Sequence, residues 1–106
     1  MDMNLSVDRL AMHTVLAARL KALGHPMAPI VRVGRSRVTP QVIEETRRSL
    51  EAHELIKVRL ELDDSTERKE LAAALASGTG SELVGTIGKV ALLYKAHTDK
   101  PKIKLP

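Results

Sequence analysis

Between Leu55 and Leu62 apolar and polar side chains alternate without a break, Ile56, Val58, Leu60 and Leu62 against Lys57, Arg59 and Glu61. A period of two sends the two sets to opposite faces of a strand, so the chain must build a sheet with one apolar face. The segments on either side repeat with a helical period instead and supply the cover for that face. Ser6 can cap a first helix with Met12, Leu16, Leu20 and Leu23 along one stripe, closed by Gly24 before His25-Pro26. Residues Pro29 to Val33 read as a short strand, followed by the loop Gly34-Arg35-Ser36-Arg37-Val38. Thr39 as cap and Pro40 at the first helical position open a second helix, with Val42, Ile43, Thr46 and Leu50 facing inward and Glu44, Glu45, Arg47, Arg48 and Glu51 outward.

Asp63 to Thr66 turns into a third helix with Leu71, Ala74 and Leu75 on its inner stripe and Gly78 and Gly80 bracketing its end. Leu83 to Ile87 and Val90 to Tyr94 are strands joined by Gly88-Lys89, a pair suited to a type II′ turn. The order is therefore α-β-α-β-α-β-β. Strands separated by helices pair in parallel and the closing hairpin is antiparallel, which predicts an α/β fold: a single domain with one four-stranded mixed sheet packed with three helices. A length of 106 residues with 43% apolar content fits that single domain, with an extended basic tail from about residue 97.

A chain this short leaves little material for a deep pocket, which disfavours an enzyme, a cofactor or a small-molecule substrate. The absence of cysteine removes disulfides, thiolate zinc sites and cysteine nucleophiles together and points to the cytoplasm. No run of about 18 apolar residues exists, so no membrane span is expected. The four histidines, His13, His25, His53 and His97, lack the spacing of a helical metal site, and no phosphate-binding or nucleophile-elbow motif occurs.

Charge is distributed unevenly around a net +4. Residues 9 to 43 hold six basic side chains (Arg9, Arg19, Lys21, Arg32, Arg35, Arg37) and no acidic ones, whereas residues 44 to 87 hold six basic against ten acidic. From Gly88 onward Lys89, Lys95, Lys100, Lys102 and Lys104 face only Asp99. Such asymmetry suits a protein that meets a polyanion with one side and water with the other.

The loop Gly34-Arg35-Ser36-Arg37 concentrates the candidate chemistry. Its glycine admits a close backbone, the following helix N-terminus offers N–H groups and a positive dipole end, and its arginines carry forked donors for phosphate oxygens. The same residues would also serve an ordinary strand-to-helix turn. Arg32 on the entering strand, Arg47 and Arg48 on the leaving helix, and Lys21 and His25 one turn apart extend the loop into a basic surface. Lys57 and Arg59 leave the sheet together on the face opposite Ile56 and Val58, and Lys89 adds a cation at the hairpin. Tyr94 is the one aromatic residue, which rules out a sheet that stacks bases on several aromatics.

Several separated runs resemble one family in a single register over about residues 10 to 106. They are Leu20-Lys21-Ala22-Leu23-Gly24-His25-Pro26 with Pro29-Ile30-Val31 and Gly34, then His53-Glu54-Leu55-Ile56-Lys57-Val58, Ile87-Gly88-Lys89 with Leu93-Tyr94, and Lys102-Ile103-Lys104-Leu105-Pro106. Together they resemble the stand-alone bacterial CRM-domain proteins, the YhbY-like family. The resemblance implies a fold similar to the C-terminal domain of translation initiation factor three and association with ribosomal RNA of the precursor large subunit during ribosome assembly; a monomer is expected. It further implies RNA contact through a GxxG loop. Gly34 matches the first glycine, whereas Arg37 occupies the second position, where a side chain obstructs close packing and disfavours positive φ. Arg35 and Arg37 are then expected to replace part of a backbone grip with charge-assisted contacts. A protein-interaction adaptor on the assembling ribosome or translation machinery is the alternative the residues leave open.

Overall fold

The computed structural model describes residues 15–35, 37–97, 99, 101 and 103. Three helices, α1 (15–24), α2 (Pro40–His53) and α3 (Ser65–Thr79), accompany four strands, β1 (Val31–Val33), β2 (Leu55–Leu60), β3 (Glu82–Ile87) and β4 (Val90–Tyr94). The expected order of elements is observed. Ser6 and Met12, expected at the start of α1, lie outside the described residues.

The strands form one mixed sheet in the order β1-β2-β4-β3. β1 runs parallel to β2, and β4 is antiparallel to both β2 and β3. β4 thus lies between β2 and the strand that precedes it in sequence, and its composition explains why. Val90-Ala91-Leu92-Leu93-Tyr94 is apolar throughout, as suits an interior strand, and Ala91, Leu92 and Leu93 are all buried. The Gly88-Lys89 connection has the expected two residues, with positive φ at Gly88 and not at Lys89, as a type II′ turn requires.

Helices α2 and α3 cover one face. Ile56, Val58 and Leu60 of β2 meet Val31, Val33, Ala91 and Leu93 from the neighbouring strands and Leu50, Leu71, Ala72, Leu75 and Ala76 from the helices. On α3 the buried stripe is Leu71, Ala72, Leu75, Ala76 and Thr79, and Ala74 is exposed, contrary to the sequence expectation. Spacings of three and four carry the stripe from Leu71 through Leu75 to Thr79, and Ala74 falls on the far side. Gly78 does not end this helix: a Cβ there would lie 2.5 Å from the Ile43 side chain, so the glycine lets α2 and α3 approach. Gly80, at φ +67, ends it alone, with Ser81 N–H donating to the Ala76 carbonyl.

Other boundaries moved by a residue or two. β1 begins at Val31, β2 stops at Leu60, and Gly24 is the last residue of α1 rather than its terminator. Gly24 is buried because α1 lies against the second sheet face, where a Cβ would meet Leu92 at 2.7 Å. The sheet face opposite the α2–α3 core is therefore half covered. Near Tyr94 it carries α1, and beyond Leu92 it is open.

Glu54 joins α2 to β2 at φ +63 and is fully buried. Its carboxylate accepts from His97 N–H at 2.6 Å and from Ile103 N–H at 2.7 Å, and its backbone carbonyl accepts from Lys95 N–H at 2.9 Å. Charge-assisted bonds of this kind offset both the burial and the left-handed backbone. The segment expected to be an extended tail is thus tied to the α2–β2 junction at two points. Tyr94, on the same β2–β4 register, has its hydroxyl pKa raised, first by burial and then by the Glu54 charge.

Candidate nucleic-acid interface

The alternation in β2 sorts the basic side chains by face. Ile56, Val58 and Leu60 point into the α2–α3 core, so Lys57 and Arg59 stand on the open face. Val31 and Val33 are buried likewise, which turns Arg32 to the same face, and the parallel register sets Arg32 directly beside Arg59. Glu61 sits between the two, its Oε1 3.0 Å from the Arg32 Nη1 and 3.4 Å from the Arg59 Nε. Lys57 donates to the His25 carbonyl at 3.1 Å, tying the end of α1 to the middle of the sheet. Lys21 rises from the last turn of α1 with its Cε 2.9 Å from where a Gly85 Cβ would lie. Lys21, His25, Lys57, Arg59 and Arg32 thus form one strip, running from the end of α1 across the sheet towards the Gly34 loop.

Beside this strip the open face is apolar. Lys21, His25 and Lys57 line a cleft of about 230 Å³ together with Ile87, Val90 and Leu92. The β3–β4 register explains the grouping, because Ile87 opposes Val90 and Gly85 opposes Leu92 on this face. Ile87 is 73% exposed, more than any other large hydrophobic side chain among the described residues. The sequence reading missed this apolar floor, although the parity of Val90 and Leu92 against Lys57 and Arg59 could have revealed it.

The Gly34 loop closes as a turn, with Arg37 N–H donating to the Gly34 carbonyl at 3.0 Å. Nothing lies within 4 Å of where a Gly34 Cβ would be, and its φ is not positive, so neither packing nor backbone geometry in this chain demands a glycine. Arg37 sits at φ +62. A side chain here disfavours the left-handed conformation without forbidding it, and the arginine adopts it at a cost of about 1–2 kcal/mol. Its guanidinium is 3.5 Å from the Glu67 carboxylate at the start of α3. Arg35 is exposed and has no hydrogen-bond or ion-pair partner among the described residues. Ser36 lies outside the described residues.

The helix N-terminus contributes less than expected. Thr39 caps α2 as predicted, its Oγ1 accepting from Val42 N–H at 3.1 Å while its carbonyl takes Ile43 N–H at 3.0 Å. Pro40 has no N–H, which leaves that of Gln41 among the first four positions.

Arg47 and Arg48 belong to another surface. Thr46 and Leu50 face the core, so the two arginines point outward from the helical layer, on the far side of the sheet from Lys57. Both pair with Glu44, at 3.1 Å and 3.6 Å. Lys89 at the hairpin tip pairs with Asp63 at 3.2 Å. Arg68, not singled out from the sequence, bonds the carbonyls of Leu62, Asp63 and Gly88 and fixes the hairpin to the start of α3. Tyr94 lines a separate crevice with Leu16, Ala17 and Leu20 of α1, away from the basic strip. Among the described residues no group of three or more histidines or carboxylates could hold a metal ion, and no helix is long and apolar enough to cross a membrane.

Compared with known proteins, residues 13–95 match the family model described as the CRS1 / YhbY (CRM) domain. YqeI of Bacillus subtilis, named a probable RNA-binding protein, is 37% identical over 87 residues, spanning 82% of this chain and 91% of its own. PA4753 of Pseudomonas aeruginosa, named in the same way, is 39% identical over 79 residues, 74% of this chain and 76% of its own. The solution structure of SAV1595 from Staphylococcus aureus is similar with a TM-score of 0.76 at 33% identity, over 85% of this chain and 94% of that one.

Proposed function

The chain belongs to the CRS1/YhbY (CRM) domain family, and on that premise we propose that it binds ribosomal RNA of the precursor large subunit during ribosome assembly, through the open sheet face and the Gly34 loop. The observation that carries this reading is the strip Lys21, His25, Lys57, Arg59 and Arg32, in which the one ion-paired carboxylate among the described residues is that of Glu61, between Arg32 and Arg59. Its relatives are named as RNA-binding proteins, which fits.

Phosphate oxygens can replace Glu61 at modest cost, because exposed ion pairs are worth only about 0.2–1 kcal/mol. An RNA strand laid along the strip then meets Lys57 and the Arg32–Arg59 pair in turn and reaches the loop at Arg35. There the open space above Gly34 admits a sugar-phosphate backbone, and Arg35 and Arg37 supply charge-assisted donors. With the one aromatic side chain, Tyr94, set against α1 and away from the strip, phosphate position and the shape of the RNA dominate recognition. The precursor large subunit enters through the family resemblance, and no catalytic step is assigned.

Crosslinking the protein to RNA in cell extract tests the reading. Large-subunit precursor RNA is expected to be recovered, and recovery is expected to fall when Arg35 and Arg37 are changed to alanine. Recovery of no ribosomal RNA by the unaltered protein would overturn it.

A further inference from the structure

The cleft between the end of α1 and the β3–β4 hairpin is not explained by phosphate binding alone. Its lining joins two chemistries, the ammonium groups of Lys21 and Lys57 with the imidazole of His25, and the aliphatic Ile87, Val90 and Leu92, with no carboxylate among them. Phosphates need only the first group. Ile87, 73% exposed, adds nothing to the core and yet stands beside the strip.

Resting on the RNA-binding reading above, we infer that this cleft receives one unpaired base of the RNA, stacked on Ile87 and Val90 while Lys21 and Lys57 hold the adjoining phosphates. Size and charge both favour this occupant. A volume of about 230 Å³ lies below the roughly 300–1,000 Å³ of pockets for drug-sized ligands, and it suits a single planar ring better than the side chains of a docked helix. A base carries an apolar face and an anionic linkage on either side, the same pairing that the lining presents. Bases leave the stack for such sites where they are unpaired, because extrusion from a duplex costs a few kcal/mol. The cleft therefore selects single-stranded or bulged RNA, which the phosphate strip alone does not.

The test is a cycle between protein and RNA. Ile87→Ser removes the aliphatic surface and leaves no buried cavity, since the side chain is mostly exposed, and a thermal melt checks that the fold is kept. A short unpaired RNA is compared with versions made abasic at one position after another, and with a duplex of the same sequence. For the unaltered protein one abasic position is expected to lower affinity about fivefold, equivalent to about 1 kcal/mol. Ile87→Ser is expected to lose the same factor on intact RNA, to lose nothing more on that abasic RNA, and to bind the duplex unchanged, because two changes that remove one contact do not add. The salt dependence should be the same in both proteins. Equal binding of intact RNA by both, or an equal loss on the duplex, would overturn the base site while leaving phosphate binding in place. If the unaltered protein bound none of these RNAs in a salt-dependent way, the proposed function itself would fall. Binding of an acidic, leucine-containing peptide that Ile87→Ser abolishes, with RNA binding intact, would instead assign the cleft to a protein partner.

Discussion

Two basic regions that look alike in sequence become opposites in the fold. On the open face Lys57, Arg59 and Arg32 line up with Lys21 at the end of α1, and among the described residues the one carboxylate ion-paired with any of them is Glu61, which lies between Arg32 and Arg59. On the outer side of α2, Arg47 and Arg48 share Glu44 and lie on the same helix as Glu45 and Glu51. Four cations against one anion attract a polyanion, whereas two against three do not. The difference arises from period. A strand sends every second residue to the same face, so Lys57 and Arg59 reinforce each other and line up with Arg32 across the register. A helix places i and i+4 together, so Glu44 falls beside Arg48 and neutralises it. Counting charges along the chain cannot separate these cases, and placing them on elements does.

Charge reversal gives the largest contrast. Lys57→Glu combined with Arg59→Glu is expected to weaken RNA binding about 100-fold at low salt, since a hydrogen bond to a charged group contributes about 1.5 kcal/mol or more and each 1.4 kcal/mol is a factor of ten. The slope of log affinity against log salt should shrink by about 1.4, because two phosphates of a single strand are no longer neutralised. Arg47→Glu combined with Arg48→Glu should change affinity less than about threefold. Anisotropy titrations over a salt series read both. Equal losses for the two pairs would dissolve the distinction between the faces.

Much of the frame was legible because it rests on local rules. The β2 alternation, the Thr39-Pro40 start of α2 and the Gly88-Lys89 turn each occupy their expected places. Even the central position of β4 was written in its unbroken apolar run, although element order alone does not reveal it. What stayed hidden depends on contacts distant in sequence. Glu54 reads as one more surface acid, yet it is buried because His97 and Ile103, more than forty residues away, bring their N–H groups to it. Arg68 looks like a solvated helix cation and is used up by three carbonyls from the β2–α3 connection and the hairpin turn. Most of the candidate site was legible as residues and only part of it as a surface. Lys21, His25, Arg32 and Lys57 are brought together, while Arg47 and Arg48 are carried to the far side by the core-facing stripe of α2.

Gly34→Ala sharpens the comparison within the interface, between grip by charge and grip by backbone. A methyl group there meets nothing within 4 Å, and φ is ordinary, so the fold should be unchanged or more stable by about 0.4–1 kcal/mol through a stiffer unfolded chain. If an RNA backbone uses the space above the glycine, affinity should fall about three- to tenfold, or about 0.7–1.4 kcal/mol, without any change of salt slope. Urea unfolding and RNA titration on the same sample separate the two effects. Unaltered affinity would mean that the loop contributes charge and nothing else.

The smallest effect is expected at Arg37, where two influences oppose each other. Glycine at φ +62 relieves the about 1–2 kcal/mol that a side chain costs in the left-handed region. It also gives up an exposed pair with Glu67 worth about 0–1 kcal/mol and adds roughly 0.5–1 kcal/mol of backbone entropy to the unfolded state. Arg37→Gly should therefore shift stability by between about −1 and about +1.5 kcal/mol, the difference of those three contributions. RNA binding tells which role the side chain has. If Arg37 substitutes charge for a close backbone approach, the variant loses about twofold in affinity and about 0.7 from the salt slope, the share of one phosphate. Because the backbone here already holds a positive φ that glycine accepts freely, removal of the side chain also clears the way for the RNA chain. A gain in affinity with a shallower slope would show that clearance outweighs charge at this position, and would overturn the idea that the arginine compensates for the missing glycine.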